Sequence, residues 1–173
     1  ATLLNAPVCS SVSGQGSLAG SHPLNAGVVG TNGGVEATRA VVAQADLVMF
    51  IGARAGSTTT EHWQMPSRKV TIVHLDVDAM TIGTNYRTDV ALVGDALLGL
   101  QALHAAVQQR IARRPADASD GAALAATARA AKQAFFAPLA ASLERPIKPE
   151  RVVDTLNRLL PARAIVVLSL IHI

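Results

Sequence analysis

The sequence predicts an α/β protein built on a Rossmann-like parallel sheet with helices on both faces. Short apolar runs rich in β-branched residues alternate with amphipathic segments, the pattern of strands buried on both faces and joined by crossover helices. Three such runs end at loops: Gly27-Val28-Val29-Gly30-Thr31-Asn32-Gly33-Gly34, Ile51-Gly52-Ala53-Arg54 and His74-Leu75-Asp76-Val77-Asp78. The composition agrees: half of the 173 residues are apolar, 16% are charged and 3% are aromatic. That suits small aliphatic side chains packed between helices and a sheet, in a chain long enough for one domain with a core.

Pro7 to Val12 is the first strand, and the serine- and glycine-rich stretch from Ser13 to Ser21 is a connection. Past the glycine loop, Val35, Thr38, Val41 and Val42 share one face at helical spacing, so Val35 to Ala45 is a helix. Asp46 to Ile51 is then an apolar run of strand length. Arg54 to Ser67, with Gly56, its threonines and Pro66, is too polar for core and longer than an ordinary connection, which marks it as a candidate ligand loop. Val70 to Leu75 is the next strand, Asp78 to Tyr86 a short helix or turn, and Val90 to Val93 a further strand. Asp95 is placed to cap a helix from Ala96 to Arg113, whose end carries Arg110 and Arg113 beside Arg114, where cations complement the helix dipole.

Residues 114–146 read as a linker of Arg114 to Gly121 followed by an alanine-rich helix from about Ala122 to Leu143. Residues 147–173 hold an amphipathic helix, Glu150 to Leu160, and a last strand, Ala164 to Leu168. A buried parallel strand needs neighbours and a crossover beyond it, so the chain is expected to be a piece of a longer protein.

Several function classes find no support. The net charge of +3 is spread without a basic run interleaved with aromatics, so no nucleic-acid partner is expected. The most apolar stretch, Ala40 to Ala53, is interrupted by Asp46 and too short to span a bilayer, and no basic region precedes an apolar one at the N-terminus. No membrane association follows. Cys9 is the single cysteine, which excludes an intrachain disulfide or a Cys-ligated zinc site and points to a reducing, cytoplasmic location. His22, His62, His74, His104 and His172 show no metal-ligand spacing, and Ser57 with its threonines forms no nucleophile elbow. No metal ligand and no catalytic residue is assigned.

Loops at the carboxyl ends of parallel strands are where open α/β sheets hold nucleotides, because backbone N–H groups and a helix N-terminus favour a phosphate there. The candidate cofactor-binding residues are Gly30, Thr31, Asn32 and Gly33; Gly52, Ala53 and Arg54; and Asp76, Val77 and Asp78. Each has a plainer reading. The spacing of Gly27, Gly30 and Gly33 is not G-x-G-x-x-G, and a glycine loop can be a tight turn without a ligand. Arg54 could grip a phosphate or form a surface ion pair. Asp76 and Asp78 could accept hydrogen bonds from ribose hydroxyls or serve as turn carboxylates. They follow the glycine loop by two strands rather than one, unlike the ordinary NAD-dehydrogenase arrangement.

His22 to Gly33, Ala45 to Arg54, Val73 to Asp78 and Val93-Gly94-Asp95-Ala96, in this order and spacing, resemble the successive signatures of the central domain of thiamine-diphosphate (TPP)-dependent enzymes. The acetolactate synthase-like branch is the most similar. The resemblance covers roughly residues 1 to 105, within a domain of residues 1–113. Ile147 to Val153 and the Pro161 to Val167 stretch look like the lead-in to that family's diphosphate-binding domain.

The resemblance implies a six-stranded Rossmann-like sheet of the DHS-like NAD/FAD-binding type. It also implies a three-domain parent enzyme, a lyase or transferase that decarboxylates or joins 2-oxo acids. Thiamine diphosphate and Mg²⁺ would be held by the N- and C-terminal domains, outside this chain, and identical subunits would assemble as a dimer or tetramer. The family's metal-binding Gly-Asp-Gly segment needs an Asn at a set distance, and Gly94-Asp95-Ala96 has none, so the chain alone is expected to be inactive. In relatives whose central domain binds FAD or ADP, the matching positions are Gly30 to Gly33, Gly52 to Arg54 and Asp76 to Asp78. Flavin-binding relatives continue after the arginine with Phe-Asp-Asp, whereas this chain has Ala55 to Trp63, which counts against FAD. Many relatives hold no nucleotide. A stand-alone regulatory nucleotide-binding module and a structural spacer therefore stay open beside the central-domain reading. A deacylase on a related fold would need a four-cysteine zinc site that Cys9 cannot supply.

Overall fold

A computed structural model describes residues 1–111, 120–161 and 163–167. The chain forms two units, Ala1–Ala131 and Lys132–Ile173. Along the first run β1 (Val8–Ser10), β2 (Asn25–Val28), α1 (Glu36–Ala43), β3 (Leu47–Ile51), β4 (Thr71–Asp76), β5 (Val90–Val93) and α2 (Ala96–Ile111), and α3 (Gly121–Ala141) begins in it. Every ladder is parallel. The α/β class and the parallel pairing are as expected; Arg113, Arg114 and most of the 114–121 linker lie outside the described residues.

Five strands are seen among the described residues, in two sheets rather than a single sheet of about six. Among the described residues β1 pairs with β2 in one sheet, and β3, β4 and β5 form a second in that order. No ladder among the described residues joins either strand of the β1–β2 pair to β3 or β5, and β2 is a strand the sequence reading did not contain. Val8 pairs with Asn25 but Cys9 pairs with Gly27, so Ala26 is an extra, bulged residue. Gly27 has φ +103°, far from extended, and its N–H is taken by the Asn25 side chain at 2.9 Å.

Alternation assigns the two faces of the three-stranded sheet. Phe50, Ile72, His74 and Asp76 share one face, where Phe50 and Ile72 pack with Ala55 and Tyr86 from the connecting loops. Leu75 lies on the other, under α2. Asp95 caps α2 as expected, its carboxylate accepting the Leu98 N–H at 3.1 Å. The β1–β2 pair has its own core of Ala26, Val41 of α1, and Ala125 and Ala128 of α3. Arg129 holds α3 there by donating to the carbonyls of His22, Pro23 and Asn25 at 3.3, 2.7 and 2.9 Å.

In the second unit α4 (Pro149–Leu159) follows a proline-containing turn, and Arg151 donates to the Ser142 carbonyl at 2.6 Å. Ala164 to Val167 is not a strand: the Ala164 N–H closes a turn on the Pro161 carbonyl, and Leu168 lies outside the described residues. An apolar run becomes a strand only when a neighbour takes its ladder bonds, and among the described residues none does so. No helix among the described residues is long and apolar enough to cross a membrane.

Candidate functional site

Each of the three predicted loops follows the carboxyl end of its strand; the glycine loop is bonded to the connection after Arg54, and the arginine loop to the end of β4. Gly30 is buried at φ +96°, and a Cβ there would overlap the Thr58 carbonyl oxygen and stand 2.9 Å from Thr59 Cα. Glycine is thus required by conformation and by close approach, but the group that approaches is this chain's own backbone. The Thr31 N–H donates to the Thr58 carbonyl at 2.9 Å, and the Gly34 N–H to the Gly30 carbonyl at 2.9 Å. Thr31, Asn32 and Gly33 are exposed. Beyond them the buried Thr38 hydroxyl accepts the Val35 N–H at 3.1 Å and donates to the Val35 carbonyl at 2.8 Å, fixing the start of α1.

After β3, the Gly52 N–H donates to the Leu75 carbonyl at 2.9 Å, and a Cβ on Gly52 would meet nothing within 4 Å. Ala53 packs against the Phe50 and Ile72 cluster. Arg54 is exposed; its carbonyl accepts from Asn85 Nδ2 at 2.8 Å, and its guanidinium has no partner among the described residues. The candidate ligand loop continues as a compact turn in which Glu61, His62 and Trp63 all have left-handed backbone, φ +51°, +58° and +62°. Glu61 accepts from Arg39 Nε of α1 at 2.7 Å, and Arg39 also pairs with Glu36. The bond to Glu61, then its charge, raises the Arg39 pKa further above its ordinary value.

Ser57 Oγ and His62 Nδ1 are 2.9 Å apart. The sequence reading saw no partner for Ser57, because a five-residue spacing inside an irregular loop carries no periodic signal. The pair fixes the turn, and no carboxylate among the described residues orients the imidazole, so it is not a triad. The Arg39–Glu61 pair, 22 residues apart, was equally invisible.

The acidic loop is engaged with itself. Asp76 Oδ1 accepts the Asp78 N–H at 2.9 Å; the Asp78 carboxylate accepts the Met80 N–H at 2.9 Å and the Thr81 hydroxyl at 3.1 Å. These are the bonds of turn carboxylates. Asp76 is only 9% exposed, whereas Val77 is 76% exposed. The Asp76 carbonyl also accepts the Gly94 N–H at 2.9 Å, tying the acidic loop to the end of β5. Beneath this edge His74 is buried against Phe50, its Nε2 without a partner. Burial pushes the Tyr86 phenol above its ordinary value and the Cys9 thiol up to about 11. Among the described residues no group of three His, Cys, Asp or Glu side chains could hold a metal ion.

Comparison with known proteins identifies the family. The family described as "Thiamine pyrophosphate enzyme, central domain" matches residues 1–103. A probable acetolactate synthase large subunit of Methanocaldococcus jannaschii is 35% identical over 107 residues, 62% of this chain and 18% of that protein. One from Methanococcus aeolicus is 35% identical over 99 residues, covering 57% of this chain and 16% of the relative. The acetolactate synthase isozyme 3 large subunit of Escherichia coli is 30% identical over 114 residues, 66% of this chain and 20% of that subunit. The chain thus aligns with a fifth or less of each of these relatives. With the match running from β1 through the glycine, arginine and acidic loops into α2, this chain belongs to the thiamine pyrophosphate enzyme family, as its central domain.

Proposed function

We propose that this chain is the non-catalytic central domain of a larger enzyme that decarboxylates or joins 2-oxo acids, and that its own role is structural. The observation that carries this is the bonding of the loop edge to itself: Thr31 to Thr58, Asn85 to Arg54, Asp78 to Asp76 and Gly94 to Asp76. The Thr31 N–H and the Asp76 and Asp78 carboxylates, which would otherwise meet a nucleotide, are already engaged within the chain, so the edge works as a platform. The described residues offer no donor set that fits a Mg²⁺–thiamine diphosphate centre. Both belong in this proposal to the parent's N- and C-terminal domains, which are this domain's partners together with further copies of the subunit in a cytoplasmic homo-oligomer.

A second reading, that ADP or FAD binds, is favoured by the unpartnered Arg54 guanidinium and the open space over Gly52. An ADP-like moiety would then lie over Gly30 to Gly33, with Arg54 on a phosphate and Asp76 or Asp78 by the ribose. Calorimetric titration with ADP and FAD, repeated on Arg54→Ala and Asp76→Ala, separates the two. No binding to any form supports the platform, and binding weakened by the substitutions supports the nucleotide site. Carbon dioxide release from pyruvate by the purified chain, supplied with thiamine diphosphate and Mg²⁺, would overturn the non-catalytic role.

A further inference from the structure

We propose that the Arg39–Glu61 ion pair is a latch holding residues 56–63 as a strap over the glycine loop, so that strap and phosphate compete for the same backbone donor. The inference rests on the nucleotide reading above and adds a means of control to that site.

Three observations converge on it. The Thr58 carbonyl oxygen receives the Thr31 N–H at 2.9 Å, the place and polarity of a phosphate oxygen in a glycine loop. Gly30 has no room for a Cβ because the strap, rather than a ligand, lies against it. The strap is also held in a conformation it would not adopt alone: three successive non-glycine residues are left-handed, at on the order of 1–2 kcal/mol each. The Ser57–His62 and Trp63–Thr60 hydrogen bonds lie within the turn and would move with it. The Arg39–Glu61 bond instead ties the turn to α1, the helix that follows the glycine loop, and the Glu61 side chain is only 13% exposed.

Opening the latch changes two things in the same direction. It vacates the Thr31 N–H, and it releases the Arg39 Nε from Glu61 on the first turn of α1, where positive charge favours an anion, leaving Arg39 paired with Glu36 alone. The coupling is reciprocal, so an anion that draws Arg39 away from Glu61 loosens the strap.

The test uses the 173-residue chain with Glu61→Gln, Arg39→Gln and the charge-conserving Glu61→Asp. Hydrogen exchange of the Thr31 amide reads the strap, exchange of the Ile72 and Leu75 amides of β4 reports that the fold is intact, and calorimetry with ADP reads the cradle. Glu61→Gln is expected to speed Thr31 exchange by about tenfold or more, and to tighten ADP binding about tenfold, equivalent to about 1.4 kcal/mol. Arg39→Gln should speed exchange equally but gain less affinity, having lost the cation, and Glu61→Asp should stay close to the parent chain. Unchanged Thr31 exchange in Glu61→Gln overturns the strap whatever ADP does. Faster exchange with equal, measurable ADP affinity overturns the competition and leaves the nucleotide reading standing. Faster exchange with no ADP binding to any variant overturns both.

Discussion

Gly99 of α2 lies so close to Leu75 of β4 that a Cβ on Gly99 would stand 2.9 Å from Leu75 Cδ1 and 3.0 Å from Cδ2. Leu75 is 1% exposed and cannot move aside cheaply. The missing side chain is what lets the helix rest on the sheet, although glycine inside a helix costs about 1 kcal/mol relative to alanine.

Leu75→Ala is expected to lower stability by about 2–5 kcal/mol, the range for a buried leucine that leaves a cavity. Gly99→Ala alone meets the closed Leu75 side chain and offsets its helix gain by overpacking of about 1–3 kcal/mol. In the double variant the added methyl enters the space Leu75 vacates. Urea unfolding should therefore show coupling of about 0.5 kcal/mol or more, and additive effects would mean that the two residues do not touch.

Gly30→Ala should be among the most damaging single changes at the loop edge. The new methyl would fall on the Thr58 carbonyl oxygen, at a residue whose φ of +96° already disfavours any side chain. A loss of about 2–4 kcal/mol is expected from strain and overpacking together. By contrast Gly52→Ala meets open space and bears only the cost of its positive φ, about 1 kcal/mol. Thermal unfolding of the two variants side by side checks the order.

Arg129→Ala removes the donor shared by the His22, Pro23 and Asn25 carbonyls. The expected cost is about 2–3 kcal/mol, since one charged donor is lost and its acceptors must find water. Amide exchange should rise first at Ala125 and Ala128, which α3 packs against Ala26 and Val41.

Cys9 should resist alkylation. With its pKa pushed up to about 11 by burial, far less of the thiol is ionised at pH 8 than of an unperturbed cysteine, and the thiolate is the form that reacts. The folded state favours the neutral thiol, so this contribution to stability is fully present below the unfolded cysteine pKa and is lost as pH rises toward 11. Between pH 8.5 and 11 the parent chain should lose stability more steeply than Cys9→Ala. Parallel curves would show that Cys9 is not shielded.

Legibility in the sequence followed the range of the forces involved. β3, β4 and β5 stand within a residue or two of their predicted spans, and α2 starts where expected, because apolar runs and the Asp95 cap are local signals. β2 was missed since Asn25-Ala26-Gly27-Val28 has little β propensity and becomes a strand only by pairing with β1 across a bulge. At the candidate site the residue positions were readable, and the bonds they make were not. Thr58 reaching Thr31, and Arg39 reaching Glu61, depend on a turn whose left-handed backbone at Glu61, His62 and Trp63 no propensity would suggest.

The start of α3 has a consequence for the order of assembly. The Ala122 N–H donates to Asn5 Oδ1 across 117 positions of sequence, and Gly121 sits against the Asn5 backbone with no space for a side chain. β1 and β2 therefore cannot bury Ala26 beneath Ala125 and Ala128 until residues beyond 120 have emerged from the ribosome. The three-stranded sheet, whose strands lie between Leu47 and Val93, can close earlier. Long-range closure of this kind is slow, so the β1–β2 pair keeps one face unsealed until α3 arrives, and that face is where a chaperone or a misfolding partner would first find it.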